Sequence, residues 1–132
     1  MIERTASCAC GGLRVVTRGE PLGVSICHCN NCKQRTGSAF AVTARFAREA
    51  CTPSGKAAIF KKAGESGAEA TFRFCPTCGG TVYWEHPAMP DAFAIAVGAF
   101  RDQKLPTPIR TVYYDMKLDW VILPPGIELL GP

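Results

Sequence analysis

No run of apolar residues is long enough to cross a bilayer. The longest, Ala92 to Phe100, contains Gly98 and falls far short of the roughly 20 residues a spanning helix needs. The opening residues, Met1-Ile2-Glu3-Arg4-Thr5-Ala6-Ser7, have no apolar core of the kind that precedes a secretory cleavage site. A membrane partner is therefore not expected, and the cytoplasm is the expected compartment. Positive charge is present but nowhere concentrated: the net charge is +4, and only Lys61 and Lys62 adjoin. Without a basic stripe to follow a phosphate backbone, no nucleic-acid partner is expected. At 20% charged and 47% hydrophobic, the composition excludes a disordered chain.

The 132 residues suit one domain, 1–132, able to bury roughly two thirds of its unfolded surface. Long helical periodicity is also missing. Short alternating or β-rich runs recur instead: Leu13 to Thr17, Val24 to Cys27, Phe40 to Phe46, Ala57 to Lys61, Ala70 to Phe74, Thr81 to Trp84, Phe93 to Val97 and Arg110 to Tyr114. These predict a mainly β fold of antiparallel sheets with short helical turns. One such turn is expected over Asn30 to Arg35, capped by Asn30. Lys61 to Gly67 reads as a hairpin loop, and the prolines at 106, 108, 124 and 125 as marks of an irregular carboxyl-terminal extension.

What the chain has in abundance is cysteine, eight in all, seven of them in three clusters. In a reducing compartment such spacing serves metal or redox chemistry rather than disulfides. Cys8-Ala9-Cys10-Gly11-Gly12 and Cys75-Pro76-Thr77-Cys78-Gly79-Gly80 read as complementary halves of one site. Strand alternation would put Cys8 and Cys10 on one face, and a CxxC turn with flexible glycines behind it would wrap Cys75 and Cys78 around the same ion. Four thiolates fill a tetrahedral zinc shell, which implies a structural role; a redox dithiol at Cys75 and Cys78 is the alternative.

The middle cluster, Cys27-His28-Cys29-Asn30-Asn31-Cys32, offers three thiolates. Alternation aligns Cys27 with Cys29 and sends His28 to the other face, while the turn at Asn30-Asn31 returns Cys32. Three ligands and one open position characterise a catalytic zinc; the other reading is a closed site completed by Cys51 or His28. Cys51 otherwise reads as an ordinary buried thiol.

In order along the chain, Cys8-Ala9-Cys10-Gly11, Cys27-His28-Cys29-Asn30-Asn31-Cys32, Arg35-Thr36-Gly37-Ser38-Ala39-Phe40 and Phe74-Cys75-Pro76-Thr77-Cys78-Gly79 resemble the glutathione-dependent formaldehyde-activating enzymes. That family also takes in the domain of centromere protein V. The resemblance implies a β-tent zinc fold with two zinc ions, a structural one on Cys8, Cys10, Cys75 and Cys78 and a substrate-facing one on Cys27, Cys29 and Cys32. It also implies a carbon-sulfur lyase that joins glutathione and formaldehyde reversibly as S-hydroxymethylglutathione.

The charges suit that chemistry. Three thiolates donate strongly to zinc and disfavour water activation, so a substrate thiolate is the natural fourth ligand. Lys33 and Arg35 are candidates for attracting glutathione's carboxylates. A small thiol and an aldehyde are then the expected partners, with a homo-oligomer left open. Two other functions stay in view: a noncatalytic zinc-binding interaction module, and a thiol redox sensor. Phe40, Phe46, Phe72, Phe74, Tyr83 and Trp84 are expected to pack the core or a sheet face. Glu85 and His86 follow a strand and read as exposed turn residues rather than a proton-transfer pair, since adjacent strand residues point apart. Tyr113 to Trp120 is expected to be a packed terminal segment.

Overall fold

The structure, a computed structural model, describes residues 1–64 and 66–130. Its strands are β1 (Glu3–Ser7), β2 (Leu13–Arg18), β3 (Gly23–Cys27), β4 (Ala41–Ala47), β5 (Cys51–Gly55), β6 (Ala58–Ala63), β7 (Glu69–Phe74), β8 (Thr81–Glu85), β9 (Ala92–Ala96), β10 (Arg110–Val112) and β11 (Glu128–Leu130). Among the described residues a single α-helix, α1 (Asn30–Thr36), follows β3. The protein is mainly β, as its sequence suggested, and each expected strand overlaps an observed one.

Two sheets form. The small one has the order β1-β2-β5, and the large one β11-β10-β3-β4-β9-β8-β7-β6. Alternation in β2 buries Leu13, Val15 and Thr17 while turning Arg14 and Arg18 outward. Those apolar residues and Ala6 meet Val24, Ala44, Phe46, Phe93 and Ile95 of the large sheet in one core. Phe46 and Ile95 are fully enclosed there. The buried face of the large sheet therefore fixes, by alternation, which side chains its opposite face presents.

Departures from the expected pattern have local causes. β10 runs parallel to both β3 and β11, so the large sheet is mixed rather than antiparallel. The proline-bearing segment after β9 returns the chain alongside β3, where the Ile109 N–H donates to the Val24 carbonyl at 2.9 Å. The carboxyl-terminal extension then contributes β11 as an edge strand. β5 was obscured by Pro53, which an edge strand tolerates because one side needs no donor. Cys29, not Asn30, caps α1: its sulfur accepts from the Cys32 N–H at 3.4 Å. In the β6–β7 loop the Gly64 N–H donates to the Ala68 carbonyl at 2.9 Å, while Glu65, within the expected hairpin loop, lies outside the described residues.

The last residue of β5 is pinned to the turn that carries Cys10. Gly55 has φ +91°, and a β-carbon on it would stand 1.9 Å from the Gly12 carbonyl oxygen. Gly55→Ala is therefore expected to destabilise the fold by more than about 2 kcal/mol, combining left-handed strain with a backbone clash. Urea unfolding measures this, and a shift below about 0.5 kcal/mol would show that the two turns separate freely.

Candidate metal centres

All eight cysteines are free thiols, and seven of them gather into two groups. Within each group the sulfurs lie no more than 4.8 Å from one another, and each group could hold a metal ion. Cys8, Cys10, Cys75 and Cys78 form the first. The Cys8–Cys10 sulfurs are 3.7 Å apart and the Cys10–Cys75 sulfurs 3.5 Å. Sulfurs at about 2.3 Å from a tetrahedral zinc stand about 3.8 Å from each other, close to both of these separations.

Both halves of the tetrad are turns. β1 ends at Ser7, and Cys8 to Gly12 fold back on themselves, with the Gly11 N–H donating to the Cys8 carbonyl at 3.1 Å and the Leu13 N–H to the Cys8 sulfur at 3.2 Å. The expected strand alternation of Cys8 and Cys10 is thus replaced by a turn, though the two sulfurs still converge. In the other half the Thr77 N–H points at the Cys75 sulfur (3.3 Å), and Gly79, at φ +79°, closes the turn by donating to the Cys75 carbonyl at 2.8 Å. At the neighbouring Gly80 a β-carbon would stand 3.4 Å from Cys8, in ordinary van der Waals contact. Backbone amides stabilise negative sulfur. The N–H groups of Cys78 and Thr77 lower the Cys75 pKa, and those of Gly80 and Cys10 bring Cys78 to about 6.

Cys27, Cys29 and Cys32 form the second group. Cys27 ends β3, Cys29 caps α1 and Cys32 sits in the helix's first turn, so the strand-to-helix corner gathers all three sulfurs. Among the described residues no fourth donor joins them. Of the two candidates for closing the triad, His28 is fully buried on the other face, with Nε2 2.9 Å from Thr111 Oγ1. The Cys51 sulfur donates to the Ala47 carbonyl at 3.5 Å, and burial pushes that thiol up to about 11. Charge within the triad is uneven. Its hydrogen bond with Cys27, assisted by Arg35, brings Cys32 down to about 6, while the same bond and then burial raise Cys27; burial also raises Cys29. Three thiols this close cannot all ionise without a cation between them, which is the donor chemistry of a metal site.

The triad opens into a cavity of about 470 Å³ on the exposed face of the large sheet. Directly paired residues share a face, and the registers align Gly23, Arg45, Ala94, Trp84, Phe72 and Phe60 in one cross-strand row. Arg45, Trp84, Phe72 and Phe60 all line the cavity, so Trp84 and Phe72 are at once packed and a cavity wall. The α1 side chains close over them: the Arg35 guanidinium lies 4.3 Å from the Trp84 ring centroid and 4.9 Å from that of Phe72. Its Nη2 reaches 4.0 Å from the Cys32 sulfur.

Lys33 and Arg35 part company here. Residues two positions apart on a helix lie about 200° apart around its axis, so only one of the pair can face the thiols. Arg35, three residues after Cys32, shares its side; Lys33 turns away and donates to the Met116 carbonyl at 2.7 Å. Glu85 and His86 point apart but are not exposed turn residues: Glu85 ends β8 and is held by Arg48 (3.0 Å) and Arg73, whereas His86 lines the cavity. Sequence reasoning missed Arg45, Thr43, Met89 and Tyr113. In β4 the alternation of Thr43 and Arg45 with buried Ala44 and Phe46 was a legible sign of a polar second face. Tyr113 had no such sign; it holds the left-handed region, φ +52°, just past β10.

The model of the glutathione-dependent formaldehyde-activating enzyme matches residues 3–116. The chain belongs to this family. Among solved structures, a Rhodobacter sphaeroides protein determined as a structural-genomics target aligns with a TM-score of 0.58 over 74% of this chain and 87% of its own. At 18% identity that likeness speaks for the fold alone. No curated protein matches the chain. Among the described residues no helix is long and apolar enough to cross a membrane.

Proposed function

We propose that the protein is a zinc-dependent carbon-sulfur lyase that interconverts an aldehyde adduct of glutathione, of the S-hydroxymethylglutathione type, with its free thiol and aldehyde. Family membership supports the reaction class, and one structural observation carries the assignment of roles: the tetrad has four sulfurs, while the triad has three and faces a cavity. Cys8, Cys10, Cys75 and Cys78 would saturate a zinc ion and hold it structurally; Cys27, Cys29 and Cys32 would hold a second with a formal charge of about −1 for the site, suited to capture of a soft substrate thiolate.

The residues of the chain do the rest. Arg35, fixed against Trp84 and Phe72, sets a positive charge beside the sulfurs and favours the ionised form of an incoming thiol. The aromatic wall displaces water from the aldehyde and holds its carbon near the sulfur, so proximity supplies much of the acceleration. In the joining direction the carbon-sulfur bond forms as the carbonyl π bond opens, and the proton lost by the thiol ends on the new hydroxyl. His86 lines the same cavity, and its Nδ1 accepts from the Ala88 N–H at 3.1 Å, which fixes the ring for proton exchange.

Elemental analysis is expected to give two zinc ions per chain. In protein reloaded with cobalt, glutathione should alter the sulfur-to-metal absorption, and formaldehyde exchange with the adduct should be accelerated in NMR spectra. A spectrum indifferent to saturating glutathione would refute thiol capture and leave both metals architectural.

A further inference from the structure

The cavity extends past the thiols along the large sheet, and its far end carries charge that no described residue neutralises. Arg45 stands opposite Gly23, the next pair toward the cysteines is Thr43 with Ser25, and Cys27 lies two residues further along β3. Gly23 is the bed for the guanidinium, since a β-carbon there would stand 2.5 Å from Arg45 Nη2. Arg110 pairs with Ser25 and so projects on the same side.

Both guanidinium groups lack an anion. The Nε atoms of Arg45 and Arg110 are buried without a hydrogen-bond partner, and neither residue joins an ion pair among the described residues. Arg45 Nη1 is turned to the Met89 sulfur at 3.8 Å, a weak acceptor. No described residue lining the cavity is acidic. Burial first, then Arg110, lowers the Arg45 pKa. A buried N–H without an acceptor is unfavourable, and the fork of an arginine matches the two oxygens of a carboxylate.

We propose that Arg45, with Arg110 behind it, binds a carboxylate of the thiol substrate at the end of the cavity remote from the cysteine triad. This rests on the reading of the triad as the thiol-binding end. Gly23 and Cys27 are four residues apart, roughly 13 Å along the strand. From the sulfur of a γ-glutamyl tripeptide to its far carboxylate is about 10 Å when extended, and the contacts at its two ends make up the rest of the span; a thiol the size of one amino acid does not reach. The subsite thus selects by length as well as charge.

The probe is S-methylglutathione, which keeps both carboxylates but offers no thiolate. Calorimetric titration should show binding to the wild type, weakened at least tenfold in Arg45→Gln and in Gly23→Ala, which displaces the guanidinium without removing it, and partly restored in Arg45→Lys. The diethyl ester of the probe should bind the wild type as weakly as the acid binds Arg45→Gln. Arg110→Gln, on another strand, gives the same readout if Arg45→Gln fails to fold. Equal affinity of wild type and variants, equal loss of acid and ester, or no binding to the wild type at millimolar probe would each overturn the proposal. A wild type that binds the probe yet keeps its cobalt spectrum unchanged by glutathione retains the subsite and refutes only the lyase reading.

Discussion

Serine in place of Cys75 is expected to abolish stable folding, leaving a chain with at most one zinc ion and no cooperative thermal transition. Cys75 is 2% exposed and part of the core, and its sulfur touches that of Cys10, 65 positions earlier in the chain. Structural zinc in small domains contributes an apparent ~10–16 kcal/mol, whereas a whole domain is stable by only about 5–15 kcal/mol. Losing one of four ligands therefore removes an amount comparable to the entire margin. A buried hydroxyl facing three thiolates worsens the loss by leaving a poorer donor in a site built for sulfur. Circular dichroism during heating, with zinc content measured on the same sample, checks this. A Cys75→Ser protein that melts within about 5 °C of the wild type would show that the two sheets hold together without the metal.

Alanine at Cys32 should have the opposite profile: an intact fold and a lost activity. Cys32 is half-buried in the first turn of a seven-residue helix. Its removal leaves Cys27 and Cys29, too few to hold zinc beside a cavity open to solvent. The protein should retain one zinc ion per chain, melt within a few degrees of the wild type, and lose formaldehyde exchange by more than about 100-fold. Changes one shell outside a metal already lower affinity or activity by about 10–100-fold, so loss of a direct ligand exceeds that range. Mild chelation of the wild type should reproduce the variant, stripping the cavity metal before the tetrad metal. Exchange that survives in Cys32→Ala at more than a tenth of the wild-type rate, or equal loss of both metals on chelation, would sink the assignment of separate roles.

These two variants separate the lyase from its rivals. A purely architectural module would lose stability in both, and a redox sensor would respond to peroxide by releasing the triad metal whether or not glutathione was present. The lyase alone couples Cys32 to turnover and spares the fold.

Strand by strand, the sequence spoke clearly where one face, or nearly the whole strand, is buried. In β2 the alternation of Leu13, Val15 and Thr17 with arginines, and in β9 the run Ala92–Ala96, marked themselves by composition. β1 and β11 did not, because Glu3-Arg4-Thr5-Ala6-Ser7 is polar and Arg4 is buried only through its ion pairs with Asp102 (2.9 Å) and Glu20 (3.3 Å), the former nearly a hundred positions away. No local pattern carries that information. The choice between Lys33 and Arg35 was equally hidden until the helix phase was known.

By itself the sequence determined the grouping of sulfurs, the β character and the family resemblance, because cysteine spacing and period-two alternation are properties of neighbouring residues. Only the tertiary structure decided what the triad faces. Arg45, Trp84, Phe72 and Phe60 come from four strands and enter one cavity because hydrogen-bonded register sets them in a row, and register is a relation between distant segments that no single stretch of chain contains.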